Sequence, residues 1–386
     1  MEKRLAWINA LNQAWERHRI IWLSGVRRTG KTTLCQSLPG IKYFDCELPS
    51  VRRLVEDPED FLKSQNAGIL ALDEIHHLND PSNLLKIAAD HFPQLRIVAT
   101  GSSTLGASAK FKDTLTGRKA NVWLTPMHSQ DLLDFGQPEL KHRLHHGGLP
   151  PYFLQKTFQE VEFKDWLDSY WAKDIQELFR VERRTSFLRF AELLFAQSGG
   201  IFEATKLAAP CEVSRNTLVN YLGILEATYL AHVIRPYSTH PATEIVSAPK
   251  VYGFDTGFVV YAKGWGELRP DDLDLLWEHY VLNELQARLQ YRDIQYWRDK
   301  RGHEIDFIVA GRDGKVLAIE CKWKAKKFDP HAFESFKRAY PKATCVLVAP
   351  DITQRLHHSK DDWHELPLND LIVEANLVLN PSKRNK

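Results

Sequence analysis

The apolar positions along this chain change their period from segment to segment. Residues 3–18 carry Leu5, Ile8, Leu11 and Trp15 at helical spacing, which predicts an amphipathic helix. The next run, IIWLSG, is short and continuously apolar, as a buried strand is, and a glycine-containing loop leads into a helix from about Lys31. Apolar runs at 41–45, 68–73 and 95–100 then alternate with helical stretches around 49–64 and 81–92. Strands separated by helices imply a doubly wound parallel sheet, here an α/β unit over residues 1–136.

Beyond it the period is mostly helical: a lid or linker over 137–180, then a segment over 181–265. Within the latter, FEATKLAAPCEVSRNTLVNYLGILEATYL (202–230) reads as helix, short turn, helix, with Ser214 placed to cap the second helix. The β-like runs YLAHVIRPY and EIVSAPKVYGF follow, an order that suits a winged helix-turn-helix. On its second helix Arg215, Asn216, Asn220 and Tyr221 are candidates for a DNA groove, although one basic residue is few for phosphate contacts and a structural role competes with that reading. Residues 270–386 open with the helix LLWEHYVLNELQARL, continue with three strands and a helix, and reach the strand TCVLVAP before the tail NPSKRNK. This is a third, α/β unit.

Composition narrows the picture little. The 386 residues are 44% hydrophobic and 26% charged, ordinary values for a globular chain of two to four domains. A formal net charge of +2 gives no bulk argument for nucleic-acid binding, which only a local patch would support. The five cysteines (Cys35, Cys46, Cys211, Cys321 and Cys345) form no CxxC pair, so neither a zinc site nor a disulfide framework is expected, and a reducing cytoplasm fits. The stretch MEKRLAWINALNQAW lacks a secretory apolar core, and no run approaches the roughly 20 apolar residues of a membrane span. A cytoplasmic protein without membrane contact is expected.

Chemistry enters at GVRRTGKTT (25–33), a full match to G-x-x-x-x-G-K-[ST] between a strand and a helix. Gly25 and Gly30 let the backbone wrap, and the loop Arg27, Arg28, Thr29, Gly30, Lys31, Thr32 and Thr33 would cradle the phosphates of ATP. Lys31 would contact the β- and γ-phosphates and Thr32 would hold Mg2+. The strand GILALDEIHHL ends in two acids: Asp73 would hold Mg2+, and Glu74 would orient and deprotonate the attacking water. That adjacent pair argues for hydrolysis over phosphoryl transfer to a small molecule. The strand RIVATGSST brings Ser102 or Ser103 to where the γ-phosphate would be sensed, or simply makes a turn. Arg118 would reach a phosphate in its own subunit or a neighbour, or is an ordinary surface arginine.

The succession GVRRTGKTT, LDEIHHL, ATGSST, TGR and GGLPPYFL resembles the prokaryotic AAA-type ATPases of the branch related to signalling STAND ATPases. Gly148-Leu149-Pro150 resembles that branch's G-x-P signature, which implies Pro150 near the adenine. The likeness continues through YWAKDI, APKVYGFDTG and YWRDKRGHEIDF and covers residues from about 20 to 350. It implies an AAA-type core, a winged helix, a C-terminal domain related to PD-(D/E)XK nucleases, and a homo-oligomer in which one subunit lends an arginine to the next.

The C-terminal residues agree with that implication. Asp306 lies on one strand and Glu320-x-Lys322 on the next; residues i and i+2 share a strand face, so the acids and the lysine would point together, away from Ile305, Phe307, Ile319 and Cys321. Two carboxylates would hold Mg2+ or Mn2+ and Lys322 would orient the attacking hydroxide. A turn at Gly311–Gly314 makes the strands a hairpin, and Glu278 of the preceding helix, with Glu284 as fallback, would complete the ligands. The plain alternative is a surface ion pair between Glu320 and Lys322. Residues 298–342 hold 12 Lys/Arg against 7 Asp/Glu, and KWKAKK with Arg298, Lys300, Arg301, Trp297 and Trp323 suits backbone contact and base stacking with DNA, or a solvated face. The histidines of KHRLHHGG read as surface residues.

Overall fold

The computed structural model describes residues 2–65, 68–101, 109–137, 139–179, 181–239 and 248–380. They form two compact units. The first comprises Met1–Glu139, Gly148–Arg184 and Gly223–Leu230, and the second Leu140–Gly147, Thr185–Leu222 and Ala231–Lys386. Residues 137–180, expected as one lid or linker, are thus shared. The segment 140–147 joins the second unit because Arg143 is buried there, donating to Thr256 Oγ1 (2.9 Å) and lying 3.7 Å from Asp255.

In the first unit five parallel strands, β1 (Ile20–Ser24), β2 (Ile41–Asp45), β3 (Gly68–Asp73), β4 (Leu95–Thr100) and β5 (Lys119–Trp123), lie in the order β2-β3-β4-β1-β5. The apolar runs become strands because helices cover them: β1 is buried throughout, and Leu70, Leu72, Ile97 and Ala99 share a core with Leu84, Leu85 and Phe61. The N-terminal helix Leu5–Trp15 forms as expected, but its buried stripe is Trp7, Leu11 and Trp15, while Leu5 is exposed. Spacing by four places the two large indoles on the apolar side.

The second unit carries one sheet of nine strands. They are β6 (Gly200–Ile201), β7 (Ala231–Pro236), β8 (Lys250–Gly253), β9 (Gln295–Arg298), β10 (Glu304–Ala310), β11 (Val316–Cys321), β12 (Thr344–Val348), β13 (Leu356–His358) and β14 (Trp363–Glu365). Their order is β13-β14-β12-β11-β10-β9-β7-β8-β6. The boundary expected near 265–270 therefore runs through a single sheet, because β7 pairs in parallel with β9. The helices Ala204–Ala208 and Arg215–Ala227 make the expected helix, turn and helix, with the Thr217 N–H donating to Ser214 Oγ (3.1 Å). Arg215, Asn216 and Asn220 are exposed. Tyr221 is not available to a DNA groove: it is buried, edge-on to Phe187 at 5.0 Å.

The β10–β11 hairpin turns at Gly311–Gly314, where Gly314 has φ +80° and the Gly311 N–H donates to the Lys315 carbonyl (2.8 Å). Both faces of these strands are covered, so the expected alternation of buried and open positions does not occur: Ile305, Asp306 and Phe307 are all buried. Trp297, expected to stack on bases, is inside the core against Phe336. His146, expected at the surface, is buried and stacks on His142 at 3.9 Å. All five cysteines are buried and free. Among the described residues no helix is long and apolar enough to cross a membrane.

Candidate active site

The apolar strand β1 delivers the chain into the loop 25–33. Gly25 has φ +143°, and a Cβ there would stand 2.3 Å from the Leu124 carbonyl oxygen, so only glycine passes. Gly30, at φ +94°, opens the helix Lys31–Gln36. Lys31 Nζ donates to the carbonyls of Gly25 (2.8 Å) and Val26 (3.1 Å), which aims the ammonium across the mouth of the loop. Burial pulls the Lys31 pKa down, and the charges of Glu74, Asp174 and Asp73 oppose that shift.

Asp73 ends β3, and the sheet order places the tip of β4 between it and β1. Three hydroxyls converge on its carboxylate. Thr32 Oγ1 donates to Oδ2 at 2.7 Å, Tyr43 of β2 donates to the same oxygen at 2.6 Å, and Thr100 donates to Oδ1. The Glu74 N–H in turn donates to Thr100 Oγ1 (3.0 Å). Glu74 holds a left-handed conformation, φ +53°, a strained position for a residue with a Cβ and the kind that clusters at functional sites. Burial alone would raise the Glu74 carboxyl; the hydrogen bond from His76, whose Nδ1 lies 3.2 Å from Oε2, and the Lys31 charge outweigh it and hold the group below the usual range. The paired Thr32 hydroxyl and Asp73 carboxylate are the hard oxygen donors that suit Mg2+.

The loop and Glu74 border a cleft of about 680 Å³ lined by Gly25, Arg27, Arg28, Gly30, Lys31, Thr32, Thr33, Glu74 and Pro150, with Tyr170, Lys173 and Asp174 from the helical segment. That volume is in the range of small-molecule sites. Arg27 pairs with Asp174 (3.2 Å), and Arg28 donates to the Tyr152 hydroxyl (2.9 Å). Thr29 faces inward instead: its hydroxyl donates to the Val26 carbonyl, and its own carbonyl accepts from buried Arg4 at 2.8 Å. Arg118 is not brought to the cleft; it grips Asp90 through Nε (2.7 Å) and Nη2 (3.2 Å). Ser102 and Ser103 lie outside the described residues. No sequence motif marks Tyr43, Asp174 or Arg4 as part of the site. Only Thr100, at the end of an apolar strand beside the expected serines, carried a local signal.

The second unit brings together a different set. Extending the antiparallel register Phe307↔Ile319 by one residue sets Asp306 opposite Glu320, and the Cys321 N–H donates to Asp306 Oδ2 (2.8 Å). Lys322 Nζ lies 2.6 Å from Glu320 Oε1, while Glu320 Oε2 is buried without a hydrogen-bond partner. Burial and neighbouring carboxylates push both carboxyls well above the usual range, Asp306 under burial and the Glu278 charge, Glu320 under burial and the Asp306 charge. Of the two helix acids, Glu278 is the one whose charge acts on Asp306; Glu284 is fully buried and 3.7 Å from Arg288. Glu278 is itself held by Lys250 (3.1 Å) and by the Tyr252 hydroxyl. Among the described residues no group of three or more His, Cys, Asp or Glu side chains is set to hold a metal ion. The basic residues of KWKAKK are largely engaged: Lys324 lies 3.9 Å from Asp351 and Lys327 lies 3.1 Å from Asp274.

Together the loop, the Thr32–Asp73 contact and the strand order define a P-loop nucleotide-binding unit. Residues 17–133 match the family model described as AAA domain, and the unit is an ATPase domain of the AAA type. Residues 137–269 and 274–371 match two families described as Domain of unknown function (DUF8612) and Domain of unknown function (DUF4143). The chain is 26% identical over 374 residues to an uncharacterized protein of Mycobacterium tuberculosis and to one of Mycobacterium bovis, covering 94% of this chain and 81% of each of them. Among solved structures, a Walker-type ATPase of Pyrococcus abyssi is 16% identical with a TM-score of 0.42, covering 68% of this chain and 96% of that one. A STAND protein of Pyrococcus horikoshii with a tetratricopeptide repeat sensor is 11% identical with a TM-score of 0.28, covering 72% of this chain and 46% of that one.

Proposed function

We propose that the chain couples Mg2+-dependent ATP hydrolysis to work on DNA, with residues 181–265 acting as a winged helix and 270–386 as a PD-(D/E)XK-type module. The convergence of Asp306 and Glu320 on adjacent strands, with Lys322 just beyond the second, carries the DNA part of the reading. Exposed Arg298, Lys300, Arg301 and Lys326 flank these residues in sequence and would meet a phosphate backbone. In the nucleotide cleft, Lys31 would neutralise the phosphates, Thr32 and Asp73 would hold Mg2+, and Glu74 would take the proton of the attacking water. With Arg118 engaged by Asp90, an arginine from a neighbouring copy in a homo-oligomer would complete the charge stabilisation.

The test is ATP turnover by wild type and Lys31→Ala with duplex, single-stranded and branched DNA. Stimulation by DNA that Lys31→Ala abolishes supports the proposal; slow turnover indifferent to every DNA sinks it. Cutting is tested separately, with wild type and Asp306→Ala in Mg2+ or Mn2+. No cleavage, or equal cleavage by both, removes nuclease activity from the reading.

A second reading, a STAND-like switch whose C-terminal part binds DNA or a partner without cutting, is favoured by the contact of Glu74 with His76. A base engaged in this way turns over slowly, as a switch does.

A further inference from the structure

The cation that meets Glu278 comes from a segment remote from the acidic motif. Lys250 of β8 is 4% exposed, and its Nζ lies 2.8 Å from Glu304 Oε1 and 3.1 Å from Glu278 Oε1. Tyr252, two residues on, donates its hydroxyl to that same Glu278 oxygen. The rings of Tyr252 and Tyr296 stand 5.5 and 5.9 Å from the ammonium. A buried lysine is costly unless its charge is met, and here two carboxylates and two aromatic faces meet it.

The rest of the cluster is less well served. Glu320 is 7% exposed and its Oε2 has no hydrogen-bond partner, which marks a place for a cation beside Asp306. Glu278 would be the third ligand, yet its Oε1 is taken by Lys250 and Tyr252. The donor set suits a divalent ion in its chemistry, but among the described residues no three such side chains are set to hold one, and Glu278 is the member that Lys250 engages.

We propose that Lys250 is a built-in counter-cation that competes with a divalent metal for Glu278, so that the ligand set closes on metal only when Lys250 gives way. Glu304 makes the exchange feasible, because it keeps the displaced ammonium paired within the same box. A tethered monovalent charge keeps Glu278 neutralised at all times, whereas a metal must arrive from solution with a greater charge to displace it. The fold is thereby stable without metal, and metal affinity is set by Lys250. This inference rests on reading Glu278, Asp306 and Glu320 as metal ligands.

The experiment is Mn2+ titration of the nucleotide-free full chain, followed by calorimetry and Mn2+ electron paramagnetic resonance. Lys250→Met is compared with wild type, and so is Lys250→Met/Glu304→Gln, which preserves the net charge of the cluster and avoids stranding a second carboxylate. Circular dichroism and thermal melts verify folding of each variant. The expected result is a rise in Mn2+ affinity of about tenfold or more in both variants, abolished when Asp306→Asn is added. Equal affinity in wild type and both variants, lost with Asp306→Asn, would keep the metal site and overturn the role of Lys250. No Mn2+ binding dependent on Asp306 in any protein would overturn both, whatever DNA does to ATP turnover.

Discussion

The Thr32 hydroxyl and the Asp73 carboxylate, 41 residues apart in the chain, meet at 2.7 Å. The contact joins the first turn of the helix after the phosphate loop to the end of β3. It puts the two oxygen donors expected of a nucleotide-bound Mg2+ beside each other, with Lys31 and Glu74 lining the same cleft.

Glu74→Gln keeps the shape of the side chain and removes its basicity. Turnover of ATP is expected to fall by about 100-fold or more, the usual scale of a lost general base, while nucleotide affinity holds. Lys31→Ala should instead lose affinity. Steady-state ATPase assays beside fluorescent-nucleotide titrations separate the two, and equal loss of binding in both variants would contradict the assigned roles.

Tyr43 orients Asp73 from the neighbouring strand. Tyr43→Phe removes one hydroxyl worth about 1 kcal/mol, so a loss of roughly fivefold in turnover or apparent Mg2+ affinity is expected. A Mg2+ titration of ATPase rate reads it. A Mg2+ response identical to wild type would show that Thr32 and Thr100 suffice to set the carboxylate.

Arg4 clamps Asp131 through Nε (2.8 Å) and Nη2 (2.6 Å) while Nη1 holds the Thr29 carbonyl of the loop. Burial alone would raise Asp131; the Arg4 charge outweighs it and holds the carboxyl at about 2. Arg4→Ala strands a buried carboxylate and is expected to cost about 3–5 kcal/mol, with weaker nucleotide binding in whatever remains folded. Arg4→Lys should be milder in stability yet still loosen the loop, because lysine cannot supply the bidentate fork. Denaturant melts and nucleotide titration measure these effects.

Asp306 and Glu320 give stability a pH dependence of definite sign. Their folded pKa values lie above those of the unfolded chain, so the folded state binds more protons in between. In metal-free protein their contribution to stability should be full in the ordinary carboxylate range and be lost as pH rises through their raised folded values. Asp306→Asn should flatten that slope, and Mn2+ should oppose it at the upper end. Urea melts across the range test this, and a slope unchanged in Asp306→Asn would refute the assignment.

Much of the nucleotide site was legible because it is local. The phosphate loop, Asp73 and Glu74 lie in short stretches whose residue types state their chemistry, while Pro150 was reached only through the family resemblance. Tyr43 and Arg4 were not legible, since their roles come from strand order and from a pairing between residues 4 and 131, neither of which leaves a local period. The acidic set of the second unit was half legible: alternation drew attention to Asp306, Glu320 and Lys322, but a sheet covered on both faces erases the expected open side. The same covering placed Trp297 in a core beside exposed Arg298, and Tyr221, on a helix, is buried against Phe187 beside exposed Asn220. Lys250 was invisible for a further reason, because its partners Glu278 and Glu304 lie 28 and 54 residues away.

The parallel pairing Arg235↔Gln295 and Pro236↔Tyr296 makes a seam between stretches on either side of residue 270. A fragment beginning at residue 274, where one family match starts, would leave an edge of β9 without its neighbour, the kind of ragged margin that recruits foreign strands. The two stretches therefore share one sheet, with β6 to β8 from the one and β9 to β14 from the other. Expression, truncation and domain-swap experiments should move them together.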